Sequence, residues 1–297
     1  MNRLFGRVVV FFCGAIAAGP VIAADMPFKA PPVPVAVSDW SGFYVGADVG
    51  ARFTDPTWTT TSWTFFGFPC AFTVACDPTI PTGTFNFPFN NSSRYDGIGF
   101  RGGVYGGYNW QFANWVAGLE GDFGWGNNKV SQTGVAPGPL PLAPGDFPPG
   151  IGDATTVKTT WDASARARLG YLIMPSFLLY ATGGPAWQHV DLSASCASLC
   201  PFNFGPTAAP TFAAASTTKL GWVVGGGGEL KFWGNWIGRA EYTYAHFDNI
   251  AFNYAYMTNI PGLGFAPFTG SGVSYTTNLS LSTHTFVVGL AYKFGPP

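Results

Sequence analysis

The stretch Trp161–Tyr171 reads W-D-A-S-A-R-A-R-L-G-Y. Side chains along a strand point alternately to its two faces. Trp161, Ala163, Ala165, Ala167, Leu169 and Tyr171 therefore share one face, and Asp162, Ser164, Arg166, Arg168 and Gly170 share the other. The apolar face begins and ends on an aromatic ring, and a tilted strand needs about 9–11 residues to cross a membrane. Aromatic rings favour the two membrane–water interfaces. The stretch reads as one strand of a transmembrane barrel, with lipid on one side and a polar interior on the other.

The composition agrees. Charged residues are 10% of the 297-residue chain, against roughly 25% in soluble domains. Aromatics make up 17% and glycines number 40, and a net charge of −1 makes no case for nucleic acid. Beyond the N-terminus no uninterrupted apolar run approaches the ~20 residues of a membrane helix, which leaves a closed barrel as the way to satisfy the backbone across lipid. Arg3 and Arg7, the apolar run Val8–Ala18 and the small residues Ala23-Ala24 predict a signal peptide over 1–24. A Pro-rich leader over 25–39 follows as an extended periplasmic tether, and the barrel occupies 40–297. In an exported chain Cys70, Cys76, Cys196 and Cys200 suggest disulfides. Three connectivities are open; short spacing favours Cys70–Cys76 and Cys196–Cys200, with free thiols as the alternative.

Alternation of the same kind recurs in eight segments: Trp40–Arg52, Ile98–Trp110, Trp115–Trp125, Trp161–Tyr171, Phe177–Val190, Lys219–Leu230, Trp236–His246 and His284–Phe294. Their connections alternate between tight (Gln111 to Asn114, Met174 to Ser176, Lys231 to Asn235) and long. That is the pattern of an all-β, closed, antiparallel eight-stranded transmembrane β-barrel with short periplasmic turns and long extracellular loops. An even strand count puts both mature termini in the periplasm. The long loops are rich in turn chemistry, as in Val135–Gly152, and either extend the hairpins or hold a further strand pair. Trp40, Trp110, Trp115, Tyr171, Trp236 and Phe294 are expected at the periplasmic interface. Trp125, Trp161, Trp187 and Trp222 are expected at the extracellular one, while Trp58 and Trp63 fall in the first loop.

The inward faces collect Arg101, Arg166, Arg168, Arg239 and Lys293 beside Glu120, Asp122, Asp162, Glu229 and Glu241. An eight-stranded barrel has an interior just wide enough for side chains to fill, and an unpaired buried charge is very costly. The balance predicts a lumen charge network that plugs the barrel. The structural reading is preferred; a narrow porin or channel is the alternative. A lipid hydrolase built on Ser282 and His284 is a weaker one, since the phase of His246 and His284, and of His189 if Trp187 faces lipid, points the rings outward. No cofactor and no metal are called for. Gly225–Gly228 lies mid-strand, outside any strand–loop–helix nucleotide context, and Gly225 and Gly227 leave room in the lumen for arginine side chains.

D-W-S-G-F-Y-V-G-A-D-V-G (Asp39–Gly50), G-G-V-Y-G-G-Y-N-W-Q (Gly102–Gln111), G-L-E-G-D (Gly118–Asp122), R-L-G-Y (Arg168–Tyr171), L-Y-A-T-G-G-P-A-W (Leu179–Trp187), A-E-Y-T-Y (Ala240–Tyr244) and V-G-L-A-Y-K-F (Val288–Phe294) follow in order. Together they resemble the small outer-membrane immunogenic proteins of α-proteobacteria, which are OmpA/opacity-like eight-stranded barrels. The resemblance implies a Gram-negative outer-membrane surface protein that supports envelope integrity and contacts outer-membrane lipid and lipopolysaccharide. It implies barrel-insertion machinery as a partner in assembly and extracellular or host ligands at the loops. The chain departs from the family in its Pro- and Cys-containing loops and in continuing past Phe294 with Gly295-Pro296-Pro297.

Overall fold

The computed structural model describes residues 39–68, 83–94, 96–133, 154–196, 211–257 and 272–296. The signal peptide, most of the leader, Cys70, Cys76, Cys200 and the Val135–Gly152 stretch lie outside these residues. Cys196 ends a strand, but its side chain is likewise outside the description. Every described element is a strand: β1 (Gly42–Phe68), β2 (Gly83–Arg94), β3 (Gly97–Phe112), β4 (Trp115–Thr133), β5 (Ala154–Met174), β6 (Phe177–Cys196), β7 (Thr211–Trp233), β8 (Trp236–Met257) and β9 (Gly272–Lys293). All ladders are antiparallel, neighbours in sequence pair except β2 and β3, and β1 pairs with both β3 and β9, which closes the ring. β2 and β3 lie end to end along the same side of β1, which meets β3 from Gly42 to Thr54 and β2 from Thr57 to Phe68. They share one position, so nine strands make an eight-membered ring.

The tight turns fall where expected, and two of them use positive φ: Ala113 at 53° and Gly234 at 54°. The strands run much further than the predicted segments on the opposite side, so the long connections mainly extend the hairpins.

Outward-facing residues between the two ends form an apolar band that includes Val45, Val49, Val104, Leu119, Leu169, Leu179, Val224, Val288 and Leu290, all exposed. Aromatic residues rim the band. At the short-turn end Trp115 faces Tyr171 and Trp236 faces Tyr292 across their ladders, with Trp110 and Phe294 also exposed. At the other end Trp125 faces Trp161, and the ring continues through Trp187, Trp222, Tyr244, His284 and Phe53. The ten-residue step from Trp161 to Tyr171 is about 33 Å along a strand and about 25 Å at a 35–45° tilt, the height of a barrel's lipid-facing band.

Trp40 is a correction to this girdle. It was expected at an interface, but it is fully buried, at the short-turn end and in one cluster with Leu172, Leu178 and Ile237. Its indole Nε1 donates to the Pro175 carbonyl at 3.1 Å, its backbone N–H donates to Gln111 Oε1 at 2.7 Å, and the Lys231 ammonium lies 5.0 Å from the ring centroid. Asp39, just outside the strands, is buried enough to raise its carboxyl pKa. Hydrogen bonds from Ser41 and the nearby Lys293 and Lys231 charges outweigh that and hold it below the ordinary value.

Past the Trp125–Trp222 ring the pattern inverts. The inward side becomes apolar: Trp58, Val130, Val157, Val190, Leu192, Phe247, Ile250, Phe252, Leu279 and Leu281 form one buried cluster. The outward side becomes hydrophilic, with Lys129, Ser131, Thr156, Lys158, Asp191, Ser193 and Ser216 at surface positions. Below the ring the barrel is apolar outside and charged inside; above it the arrangement is that of a protein in water.

The wall also changes. Among the described residues the β3–β4 ladder stops at Arg101↔Gly126 and the β7–β8 ladder at Gly221↔Phe247. Above those pairs the strands form two four-stranded sheets, β4-β5-β6-β7 and β8-β9-β1-β2, with the apolar cluster between them. Asn128 reaches from β4 over the side-chain-free Gly97 and Gly99 of β3 to β1, where its amide donates to Thr54 Oγ1 at 2.6 Å. Trp58, expected in a loop, belongs to β1 and packs edge-on against Phe252 with centroids 6.4 Å apart.

Candidate functional site

The strand phase sends the polar residues below the ring into the lumen, where they form two layers. In the layer nearer the short turns, Glu120 lies at the centre. It accepts from Arg166 at 2.5 Å, from Arg168 at 3.2 Å, from Arg239 at 2.8 and 2.9 Å and from the Tyr44 hydroxyl at 2.7 Å. Glu241 accepts from Arg166 at 2.7 Å and the Tyr180 hydroxyl at 2.6 Å and is paired with Arg239; Arg168 also meets Glu229 at 2.8 Å. Three carboxylates face three guanidiniums. The planar cations also stack on rings, with Arg168 4.1 Å from the Tyr180 centroid and Arg239 4.2 Å from that of Tyr105.

In the second layer Arg101 reaches Asp48 at 2.9 Å, Asp122 at 2.6 Å and Asp162 at 2.9 Å. Arg52 is paired with Asp162, and Ser164 donates to Asp122 at 3.0 Å. Arginine suits both layers because its fork keeps its charge and offers several donors at once. A cavity of about 40 Å³ lies beside this layer, bounded by Arg52, Arg101, Asp162, Arg166 and Glu241. That is room for a few water molecules.

Nine of the ten residues expected in the network take part in these two layers. Lys293 is the exception. It is buried and inward, but its ammonium donates to the Pro296 carbonyl at 2.7 Å at the short-turn mouth. Two charges that the sequence reading left out belong to the network: Asp48, which shares the inward phase of Tyr44, and Arg52, at the boundary of the first segment. Tyr44 and Tyr105 have the inward phase in the sequence but were not assigned to the network, and Tyr180 lies in the segment whose phase is less clear; hydroxyl partners across the lumen cannot be read from strand order.

Glycine makes the room. Many large inward residues have glycine as cross-strand partner: Tyr44 opposite Gly107, Asp48 opposite Gly103, Asp162 opposite Gly124, Arg168 opposite Gly118, and Tyr180 opposite Gly170 and Gly227. A Cβ at Gly107 would lie 2.6 Å from the Tyr44 hydroxyl, and one at Gly227 would lie 2.8 Å from that of Tyr180. At Gly227 the space is thus taken by a tyrosine rather than, as expected, an arginine. A Cβ at Gly124 would collide with the Arg101 guanidinium. Gly124→Val is therefore expected to lower stability by about 1–3 kcal/mol through overpacking, read as a lower urea midpoint. Gly121→Val, where a Cβ meets nothing within 4 Å, is the control.

The histidines all lie on the outer face. His284 accepts or donates at 2.7 Å with the Tyr242 hydroxyl. Ser282, which sequence proximity had placed with His284, instead meets His246 Nδ1 at 3.0 Å and the Tyr244 hydroxyl at 3.2 Å. Among the described residues no ion pair orients the His246 ring, and no group of His, Cys, Asp and Glu has metal-binding geometry.

Residues 21–294 match the family model for the outer membrane protein beta-barrel domain. The chain is 28% identical over 304 residues to the 31 kDa outer-membrane immunogenic protein of Brucella melitensis, covering 97% of this chain and 99% of that protein. It is 31% identical over 189 residues to the 22 kDa outer membrane protein of Rhizobium leguminosarum, covering 61% and 72%. Among solved structures, the outer membrane protease OmpT of Escherichia coli aligns over 85% of this chain and 97% of its own at a TM-score of 0.42 and 10% identity.

Proposed function

Because the chain belongs to the outer membrane protein beta-barrel domain family, we propose that it is a sealed structural barrel of the outer membrane, which supports the envelope and displays its long hairpins at the cell surface. The observation that supports this reading is the run of buried inward side chains: two layers of paired charges in the middle, Trp40 and its buried neighbours at the short-turn end, and the apolar cluster at the far end. Each layer opposes ion passage in its own way: the charged layers by occupying the space with mutually bonded side chains, the apolar ones by excluding water.

In this reading the short turns and both mature termini face the periplasm. The hydrophilic extension then projects outward from the Trp125–Trp222 ring, which matches its polar surface. The protein acts as a non-enzymatic barrel. The Ser282–His246 pair does not amount to a hydrolase, because activation of a serine needs a base held in turn by a third group. Ligands of the host or environment meet the hairpin tips, and lipopolysaccharide and other outer-membrane lipids meet the wall.

Planar-bilayer recording on the refolded, full-length protein tests the seal. No stable unitary currents are expected at 100 mV in 1 M salt. Discrete, reproducible steps would overturn the sealed-barrel reading in favour of a narrow channel.

A further inference from the structure

We propose that the upper edge of β7, Thr211–Leu220, binds an extended peptide segment of a partner protein, which adds to the sheet as a further strand and sets an acidic side chain against Lys219. This rests on the reading that the long hairpins project from the cell surface. β7 pairs with β6 along its length, from Thr211↔Cys196 to Leu230↔Phe177, but with β8 only up to Gly221↔Phe247. β8 continues to Met257, paired there with β9 alone. Among the described residues Thr211–Leu220 therefore has no neighbour on one side. About every second residue of such an edge directs both its N–H and its C=O at the missing strand.

Free edges are normally blunted by charges, proline or bulges. Thr211–Thr218 reads T-F-A-A-A-S-T-T, with no charge and no proline, and its ladder with β6 runs without a bulge. The inward side of this edge is also incompletely covered. On β6 the inward Val190, Leu192 and Ala194 are buried. On β7 the inward Ala213, Ala215, Thr217 and Lys219 are each only partly buried, and the two alanines pack against the apolar cluster. Short side chains along an open seam leave room for those of an added strand.

Lys219 selects the occupant. It shares the inward phase of Val223 and lies just above the last rung to β8. Among the described residues its ammonium makes no ion pair and no hydrogen bond. An inward charge ordinarily keeps other strands off an edge. A carboxylate opposite it reverses the sign, because opposite charges on paired residues stabilise a ladder and gain a charge-assisted hydrogen bond. The segment that fits runs antiparallel to β7. It places an acidic residue and then apolar residues at alternate positions, facing Lys219, Thr217, Ala215 and Ala213 in turn. Main-chain bonds then supply affinity, and the alternating side chains supply specificity.

The test uses refolded full-length protein in zwitterionic micelles and the fluorescent peptide T-E-T-V-T-V-T-V-T, followed by anisotropy and by hydrogen exchange. Binding is expected to slow exchange of the β7 edge amides at least about tenfold. Lys219→Gln, and a peptide with Q in place of E, are each expected to weaken binding about five- to tenfold, the loss of one charge-assisted contact. Combined, they are expected to cost no more than either alone, because both remove the same contact. N-methylation of the peptide residues that bond to β7 is expected to abolish binding. Unchanged binding by Lys219→Gln, or by the N-methylated peptide, would overturn the proposal. Edge amides already protected in the free monomer would show that the chain covers its own seam, and a dimer that excludes the peptide would assign the seam to a second copy; either result overturns a peptide partner. Binding to the purified protein but not to intact cells would remove the surface orientation and leave the seam standing.

Discussion

Glu120→Ala is expected to cost roughly 3–5 kcal/mol, the usual penalty for removing one partner of a buried ion pair. The size follows from its position. Arg166, Arg168 and Arg239 all bond to this one carboxylate, and all four side chains are almost completely buried. Without Glu120 the layer keeps three guanidiniums and two carboxylates, and the Tyr44 hydroxyl loses its acceptor. Urea unfolding of the refolded protein, followed by the gel shift between folded and boiled forms, gives the measurement. Asp96→Ala is the comparison, because Asp96 is 80% exposed and, among the described residues, pairs only with an exposed Arg94; it is expected to change stability by less than about 0.5 kcal/mol. Equal effects from the two substitutions would sink the lumen-network account.

Phe247→Ala is expected to cost about 3–5 kcal/mol, the range for truncating a large buried ring, and to act on a different part of the molecule. Phe247 is 2% exposed, lies at the top rung of the β7–β8 ladder and belongs to the apolar cluster between the two upper sheets. Above that rung no ladder joins β7 to β8 among the described residues, so the sheets depend on their packed interior. Limited proteolysis is expected to cut the variant within the upper strands, near Ser216 or Asn253, while the membrane-embedded base keeps its gel shift. Loss of the gel shift without new upper cleavage would show that the extension and base are not separable in this way.

The two substitutions also divide what was readable from what was not. The membrane-spanning strands were legible because lipid imposes one rule on every outward residue, and so W-D-A-S-A-R-A-R-L-G-Y and its counterparts alternate cleanly. The inward charges were legible by the same phase. Their partners were not. Arg239 is the cross-strand partner of Glu229, but its hydrogen bonds go across the lumen to Glu120, a choice set by barrel diameter and stagger, and along its own strand to Glu241. Asp48 and Arg52 carried the right phase but entered the network only once β1 closed against β3 and β9.

The extension was harder to read for a local reason. On β5 the bulge between Thr159 and Asp162, and on β8 that between Phe247 and Ile250, shift the side-chain parity by one residue. Beyond the aromatic ring water replaces lipid, so the apolar set moves to the inside. Sequence alternation reports that a strand has two unlike faces; it cannot report which face is inside when the solvent changes partway along. Trp40 shows the same limit, since its place beside a short turn suits an interfacial ring as well as a buried stopper.

By itself, the sequence determined the period, the strand count around the ring, the alternation of short and long connections and the stock of charges for the lumen, because each follows from local side-chain order and the length of a membrane crossing. Only the tertiary structure decided which carboxylate meets which arginine, that glycines on neighbouring strands leave space for the tyrosines and Arg101, and that two sheets over an apolar core continue above the closed barrel. Those features depend on distances across the lumen and on where ladders stop, and such distances exist only after the ring has closed.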